Sequence, residues 1–364
     1  MEILSERLGV SKGLLWHAYS LARRGNGYTT FEIPKRSGGS RKIHKPVESL
    51  LWVQRLIKLH ILDEAPAPAD CVTAFRKGCS IADNARVHCD KSVLVKFDLK
   101  DFFPSISFTR VTGIFKTLGF GESEAKGLAY LTTIQLETIR ESPSVVLHYE
   151  RLRAQEISEA YVEHLRQEAR QKRSAMEHGI DFGDLGWEAN ELFNDAKRIE
   201  NDYREKQLKR RGLPQGAPTS PQLANLAGMR LDARLSGLAK LLGFQYTRYA
   251  DDLTFSSNDP RAKTNALARL VAKIVKESGF EINPTKTCFM RAPATRQTTG
   301  LVVNDTAPRV RRRTIRKVRA MLHQKKMGKL EGNQTYKLAG FLSFIRMINP
   351  EQADRLEEDR SVPT

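Results

Sequence analysis

The sequence predicts an α+β fold divided among several subdomains, and three observations carry that prediction. A chain of 364 residues has room for a large core and for two or three subdomains. Short β-rich or alternating segments recur at 29–33, 92–97, 244–248 and 253–256. Between and beyond them, apolar residues return at helical spacing.

Taken in order, residues 1–28 carry Leu4, Leu8, Leu14, Leu15 and Tyr19 on one helical stripe, ended by Gly25-Asn26-Gly27. A strand over Thr29–Ile33 follows. Ser37-Gly38-Gly39-Ser40 reads as a hairpin turn into Arg41-Lys42-Ile43-His44, and a second helix runs from about Glu48 to Leu62. Alternating Ala and Pro at 65–69 break that helix, and the run Ser92–Phe97 delivers Asp98 at its end. Residues 121–211 change character to long, charged, helix-forming sequence, which reads as an insertion with solvated faces. Thr219-Ser220-Pro221 is expected to cap the next helix, whose face carries Leu223, Ala227, Leu231, Leu235 and Leu238 and which stops at Gly243. A strand, turn and strand surround Asp251, a helix spans about 264–278, and a strongly basic helical tail follows residue 306.

Composition narrows the function. Sixty Lys plus Arg against 42 Asp plus Glu give a formal charge of +18, which calls for a polyanionic partner, nucleic acid first; plain solubility is the blander reading. A membrane partner is not expected, because no apolar run approaches the roughly 18 residues of a spanning helix. The first residues are acidic where a signal peptide is basic, so the expected location is cytoplasmic. Cys71, Cys79, Cys89 and Cys288 lack zinc-site spacing and are too few for a disulfide framework; they read as reduced thiols.

The chemistry lies in the acids. Tyr249-Ala250-Asp251-Asp252 places two carboxylates at a hairpin tip. Adjacent carboxylates repel, so a fold that aims both into one place normally holds a divalent cation there. A site for phosphoryl transfer needs a third carboxylate to bridge two ions, and Asp98 at the end of its buried strand is suitably placed. A bare Asp-Asp pair is more often a solvated turn. This pair is accompanied by the stiff loop Leu213-Pro214-Gln215-Gly216-Ala217-Pro218, able to present Gln215 and backbone N–H groups to a nucleotide.

The ordered set Arg41-Lys42-Ile43, Phe97-Asp98 to Phe103, Leu213-Pro214-Gln215-Gly216, Tyr249-Ala250-Asp251-Asp252 and Asn283-Pro284-Thr285-Lys286-Thr287 resembles the successive blocks of reverse transcriptases, over residues 30–305. The resemblance implies a right-hand polymerase. Its parts would be an N-terminal helix and fingers (1–91), a palm of antiparallel sheet with helices on one face (92–120 and 212–304), the charged insertion (121–211) and a helical thumb (305–364). It implies Asp98, Asp251 and Asp252 as ligands of two Mg²⁺ ions, with Mn²⁺ as the alternative ion and the Leu99 carbonyl assisting. Phe103 matches the aromatic gate that excludes a ribose 2′-hydroxyl. Arg41, with Lys35 or Lys42 beside it, matches the contact to the incoming triphosphate. Gln215 and Gly216 would line the dNTP pocket, and Lys286 would stand near the triphosphate to protonate the leaving group. Seen alone, each of these side chains reads as core or surface charge.

Two further elements resemble the retron group of bacterial reverse transcriptases: Asn84-Ala85-Arg86-Val87-His88, and Gln297-Thr298-Thr299-Gly300, where that group carries Val-Thr-Gly and Thr298 replaces the valine. The retron resemblance implies a cognate structured non-coding RNA as template and primer, priming from a guanosine 2′-hydroxyl, and a branched RNA–DNA hybrid, multicopy single-stranded DNA, as product. It also implies a role in antiphage defence with an effector protein; by its length and charge alone, the insertion is a candidate docking surface for that partner or for the hybrid. RNA contacts are expected from Asn84, His88, Thr298, Thr299 and Gly300, and from Arg311, Arg312, Arg313 and Arg316 on the basic tail. The alternatives are a group II intron-like or other bacterial defence reverse transcriptase, and a catalytically idle polymerase fold that scaffolds RNA.

Overall fold

The structure, a computed structural model, describes residues 2–35, 38–136 and 211–358, together with 167 and 170. In chain order its elements are α1 (Glu2–Leu8), α2 (Lys12–Arg23), β1 (Tyr28–Pro34), β2 (Ser40–Pro46), α3 (Glu48–Ile57), α4 (Ile81–Arg86), β3 (Val93–Asp98), α5 (Phe108–Thr117) and α6 (Glu122–Thr132). After the short strands β4 (Ile134–Gln135) and β5 (Arg211–Gly212) come α7 (Ser220–Leu242), β6 (Gln245–Tyr249), β7 (Asp252–Ser257), α8 (Thr264–Glu277) and β8 (Cys288–Arg291). The chain closes with β9 (Gln297–Thr298), β10 (Leu301–Val302), α9 (Arg312–Lys326), α10 (Gly332–Ile348) and α11 (Pro350–Glu358). Strands and helices alternate irregularly, as an α+β class requires.

The chain forms two compact units: 1–53 with 106–217, and 54–105 with 218–364. These divide it at points other than those the sequence suggested, since 54–91 groups with the four-stranded sheet and 106–120 with the N-terminal helices.

In the first unit the N-terminal helix expected over 1–28 is two helices, because Ser11 caps α2 by accepting the Leu14 N–H at 3.2 Å. β1 and β2 pair antiparallel from Tyr28↔Pro46 to Pro34↔Ser40 and form a largely exposed ribbon. The insertion expected over 121–211 falls mainly on 137–210, outside the described residues, but its first part is α6, whose Leu128, Ala129 and Leu131 are fully buried. The described chain on either side meets in an antiparallel stem, Ile134↔Gly212 and Gln135↔Arg211. Arg211 is itself buried there: Nη2 donates to the carbonyls of Ala22 (3.1 Å), Tyr130 (3.2 Å) and Thr133 (2.6 Å), so the guanidinium satisfies three backbone acceptors at once.

The second unit is built on an antiparallel four-stranded sheet in the order β6-β7-β3-β8. β8 did not emerge from the sequence. Register and the two-residue side-chain period set the faces. One face carries Tyr246, Arg248, Leu253, Phe255, Phe97 and Phe289, and α7 packs on it through Tyr246 and Arg248. The other face carries Asp98, Lys96 and Leu94 of β3 with Asp252, Thr254 and Ser256 of β7. Its half remote from Asp98 is covered: Leu94 and Met290 join an apolar cluster with Ala82, Ala85, Leu301 and the inner faces of α9 and α10, among them Ile315, Val318, Leu338 and Ile345. α7 begins after Thr219, which was expected to cap it; Thr219 is instead helical in backbone, fully buried, and makes no capping hydrogen bond. All four cysteines are free thiols, and no helix of the described residues is long and apolar enough to cross a membrane.

Candidate active site

Three carboxylates stand at one end of the sheet because of where its strands stop. β3 is buried along most of its length, as a central strand must be, and ends on Asp98, only 5% exposed. Asp98 is paired directly with Asp252, the first residue of β7, so both side chains leave the same face. β6 and β7 are joined by the two-residue turn Ala250-Asp251, with Ala250 at φ +56. That position in a tight hairpin is ordinarily glycine, so the turn is held against its preference. The Leu99 N–H donates to the Asp251 carbonyl at 2.9 Å, and the Asn283 N–H to the Asp98 carbonyl at 2.7 Å, locking the strand end to its neighbours.

Two ammonium groups reach these acids. Asn283 opens a short 3₁₀ turn over Pro284–Lys286, from which Lys286 Nζ contacts Asp98 Oδ1 at 2.7 Å and Oδ2 at 2.9 Å. Hydrogen bonding to Asp98 raises the Lys286 pKa, so the amine stays charged. Lys96, two residues before Asp98 on the same face, lies 3.8 Å from Asp252 Oδ1. Even so, the acids are under strain. Burial, then the charges of Asp252 and Asp98, push Asp251 up to about 6. Burial also raises Asp252, with Asp98 adding to the shift and Lys96 opposing it. Among the described residues no three acids, histidines or cysteines are already arranged as a metal-ligand cluster, and Lys286 takes both oxygens of Asp98. The donor set is nonetheless what a hard cation takes: carboxylate oxygens, two of whose groups, Asp251 and Asp252, are raised by burial first and by neighbouring acids second.

Phe103 is half-buried in the same unit, its ring 5.6 Å from Phe102 and 6.1 Å from Phe75, itself at φ +58. The remaining residues expected at a nucleotide belong to the first unit. Arg41, Lys42 and Lys35 are exposed at the distal end of the β1–β2 ribbon. The loop 213–217 docks against that ribbon: the Gln215 carbonyl accepts the His44 N–H at 2.8 Å. Gly216, at φ +117, lies so close that a Cβ would stand 2.8 Å from Ile43 Cγ2. Glycine is required there twice over, for the backbone angle and for the approach. The structure thus gathers Arg41, Lys42, Gln215 and Gly216 in one unit, and the three acids, Lys286 and Phe103 in the other.

Three expected RNA contacts need correcting. Asn84, His88 and Thr298 are fully buried and spend their polar atoms inside the protein. His88 Nδ1 meets Ser256 Oγ and Nε2 meets Thr247 Oγ1, both at 2.7 Å; Asn84 accepts from Thr73 Oγ1 at 2.9 Å and donates to Thr298 Oγ1 at 3.4 Å. Thr298 Oγ1 also meets Thr254 Oγ1 at 3.0 Å. These residues fasten α4 and β9 to the sheet and have no surface to offer RNA. Thr299 and Gly300, at φ +46 and +84, form the β9–β10 turn and are at least partly exposed. Arg311, Arg312, Arg313 and Arg316 are exposed, while Ile315, Val318 and Met321 of the same helix face inward.

Sequence reasoning missed Lys96 and a buried group around Arg248. Strand alternation alone puts Lys96 on the face of Asp98. Arg248 shares its face with Tyr246, and an arginine on a buried face demands an acid; Asn225, Gly228 and Asp232 form the matching stripe on α7 at helical spacing.

Residues 168–332 match the sequence profile of the family described as reverse transcriptase (RNA-dependent DNA polymerase). Over 363 residues the chain is 36% identical to the Retron Mx65 reverse transcriptase of Myxococcus xanthus, covering 99% of this chain and 70% of that protein. It is 34% identical to the Retron Mx162 reverse transcriptase of the same organism, covering 96% of this chain and 64% of that one. The Retron Ec86 reverse transcriptase of Escherichia coli is 27% identical, with 90% of this chain and 79% of that protein covered. The chain belongs to the retron reverse transcriptases, and so is an RNA-directed DNA polymerase.

Proposed function

We propose that this polymerase copies a cognate structured non-coding RNA into multicopy single-stranded DNA by nucleotidyl transfer at two Mg²⁺ ions, and that it serves antiphage defence together with an effector protein. The observation that carries the catalytic part is the pairing of Asp98 with Asp252 beside Asp251, at a sheet end where burial and mutual repulsion raise two of the three acids. Family membership supports the retron product and the defensive role. Asp98, Asp251 and Asp252, with the Leu99 carbonyl, would hold the ions. When bound, the ions activate the primer hydroxyl and stabilise the leaving pyrophosphate.

The remaining roles fall to the protein's own groups. Lys286 keeps its proton at Nζ because of Asp98, and so is placed to give it to the leaving pyrophosphate. Phe103, its ring beside those of Phe102 and Phe75, excludes a 2′-hydroxyl. Arg41, with Lys35 or Lys42, binds the triphosphate, and Gln215 and Gly216 line the nucleotide pocket. Thr299, Gly300 and the exposed arginines Arg311, Arg312, Arg313 and Arg316 contact the RNA.

The test is dNTP incorporation on an RNA template with Mg²⁺, for the native chain and for Asp251→Ala/Asp252→Ala. Loss of incorporation in a folded variant is expected, and equal activity refutes the assignment. Sequencing the nucleic acid that copurifies from the native host tests the product: a linked RNA–DNA molecule is expected, and its absence sinks the retron-specific part.

A further inference from the structure

The Arg248 guanidinium is fully buried, and each of its nitrogens has an acceptor. Nε and Nη2 donate to Asp232 Oδ1 and Oδ2 at 2.8 and 2.7 Å, and Nη1 donates both to Asn225 Oδ1 and to the Ala250 carbonyl at 3.2 Å. Asp232 Oδ1 accepts a further hydrogen bond from the Tyr246 hydroxyl at 2.9 Å. Asn225 Nδ2 donates to the Ala74 carbonyl at 3.0 Å. α7 makes room for the group at Gly228, where a Cβ would stand 2.7 Å from Nη2.

A buried ion pair contributes little net stability compared with apolar side chains of the same volume, so stability alone does not account for this one. Its local effect is at the acidic turn. Nη1 anchors the carbonyl of Ala250, which belongs to the peptide entering Asp251. The Leu99 N–H anchors the carbonyl of Asp251, which belongs to the peptide leaving it. Asp251 therefore sits between two fixed peptide planes, directly after an alanine at φ +56 that has no preference for that conformation.

We infer that the Arg248–Asp232 pair is a positioning device for the reaction: it holds the Ala250-Asp251 turn in its strained form and so aims the Asp251 carboxylate at the place served by Asp98 and Asp252. Arg248 touches no substrate and acts through Asp251. The inference rests on the reading of Asp251 as a metal ligand.

Two variants of the full-length protein test it. Arg248→Lys keeps a charge for Asp232 but lacks the planar fork that reaches Ala250 as well. Arg248→Met/Asp232→Leu removes both charges, leaving no buried charge unpaired. Thermal unfolding reports the fold, and primer extension corrected for active fraction gives kcat and the KM for dNTP. Hydrogen exchange on metal-free protein reports the Leu99 amide. In folded variants kcat is expected to fall by roughly 10²-fold, the loss typical of a small misplacement of a reacting group. The KM for dNTP should stay within about twofold, because ground-state binding is untouched. Faster exchange at Leu99 should accompany the loss without any metal present. A folded variant with parental kcat overturns the inference, as does a loss that vanishes on correction for active fraction; if the double variant does not fold, Arg248→Lys decides by the same criteria. Asp251→Ala run alongside separates the two ideas: if it is active, the reading of the acids fails, whereas an inactive Asp251→Ala beside fully active Arg248 variants sinks the positioning role alone.

Discussion

One face of the four-stranded sheet has two ends that solve the same problem differently. At the covered end, polar side chains are neutral and matched: His88 is bonded at both ring nitrogens, and Asn84, Thr298 and Thr254 close a chain of hydrogen bonds beneath the apolar cluster. At the open end, Asp98, Asp251 and Asp252 share one corner of the sheet; among the described residues Lys286 pairs with Asp98 and Lys96 lies 3.8 Å from Asp252, and Asp251 and Asp252 have raised pKa values. A folded protein keeps polar groups away from water only when they are paired. The contrast teaches that the open end is not an unfinished core but a place left short of positive charge, as the proposed binding of metal ions there requires.

The largest expected effect breaks the open end alone. Asp252→Asn preserves shape and hydrogen-bonding capacity but removes a charge, and should cut dNTP incorporation by on the order of 10³-fold in steady-state primer extension. Its unfolding midpoint in EDTA should be no lower than the native value. A midpoint several degrees lower would mean that Asp252 holds the fold together, and that the two ends are alike after all.

The covered end should fail in acid. Burial, with Lys91 and Lys96 adding, lowers His88 to about 3 from an ordinary value near 6.5. The unfolded chain binds a proton below about 6.5 that the folded protein refuses until about 3, so stability is fully present above 6.5 and is lost as pH falls through that window. Between pH 7 and pH 4 this one group contributes a loss of about 3 kcal/mol. His88→Gln, neutral and able to bond both hydroxyls, should lose that much less over the same range in urea unfolding. Equal slopes for the two proteins would show that His88 is not sealed in.

These two ends were not equally legible in the sequence. Asp98, Asp251 and Asp252 stood out because a buried strand and a tight turn deliver them and because the Leu213–Gly216 loop and the other ordered blocks accompany them. Asn84 and His88 were noticed but misread as surface, since a motif gives no sign of whether its polar atoms face water or one another. Arg248 and Asp232 went unseen: their partnership spans a helix and a strand, and nothing within either segment announces it. β8 was hidden by its exposure, because Cys288, Phe289 and Arg291 show no buried alternation. The helix-forming periodicity of α7, α8 and α9 was plain, for each of those helices buries one apolar face.

In metal-free protein the open end should respond to pH in the opposite sense from His88. Asp251 rises to about 6 from 3.8, so the folded protein holds a proton there that the unfolded chain has released, and stability falls as pH rises through that window. Asp251→Asn should therefore be more stable than the native chain at pH 7 in EDTA, by on the order of 1 kcal/mol once solvent screening of a partly exposed group is allowed for. The difference should vanish near pH 4. Saturating Mg²⁺ should raise the native midpoint and leave that of the variant nearly unchanged, as mass action requires of an ion that binds the folded acids. Calorimetric scans at the two pH values decide it, and a variant less stable than native at pH 7 would contradict the charge shortage.

The smallest effect concerns the outer surface of the layer that covers the closed end. α9 turns Ile315, Val318 and Met321 inward to the apolar cluster and Arg312, Arg313 and Arg316 outward. Exchange on the outer face should leave the covered end intact, because no packed atom changes; a shift in the midpoint beyond a degree or two would mean that the arginines also brace the helix. What should change is affinity for RNA. Each arginine that meets a phosphate displaces condensed counterions, so replacing one by glutamine lowers the slope of log affinity against log salt by roughly 1. Arg312→Gln and Arg316→Gln, measured singly and together by filter binding from low to moderate salt, should reduce the slope additively and weaken binding about equally for related and unrelated RNAs. Unequal weakening would instead assign these side chains to the reading of RNA shape, and the covering layer would then carry specificity as well as charge.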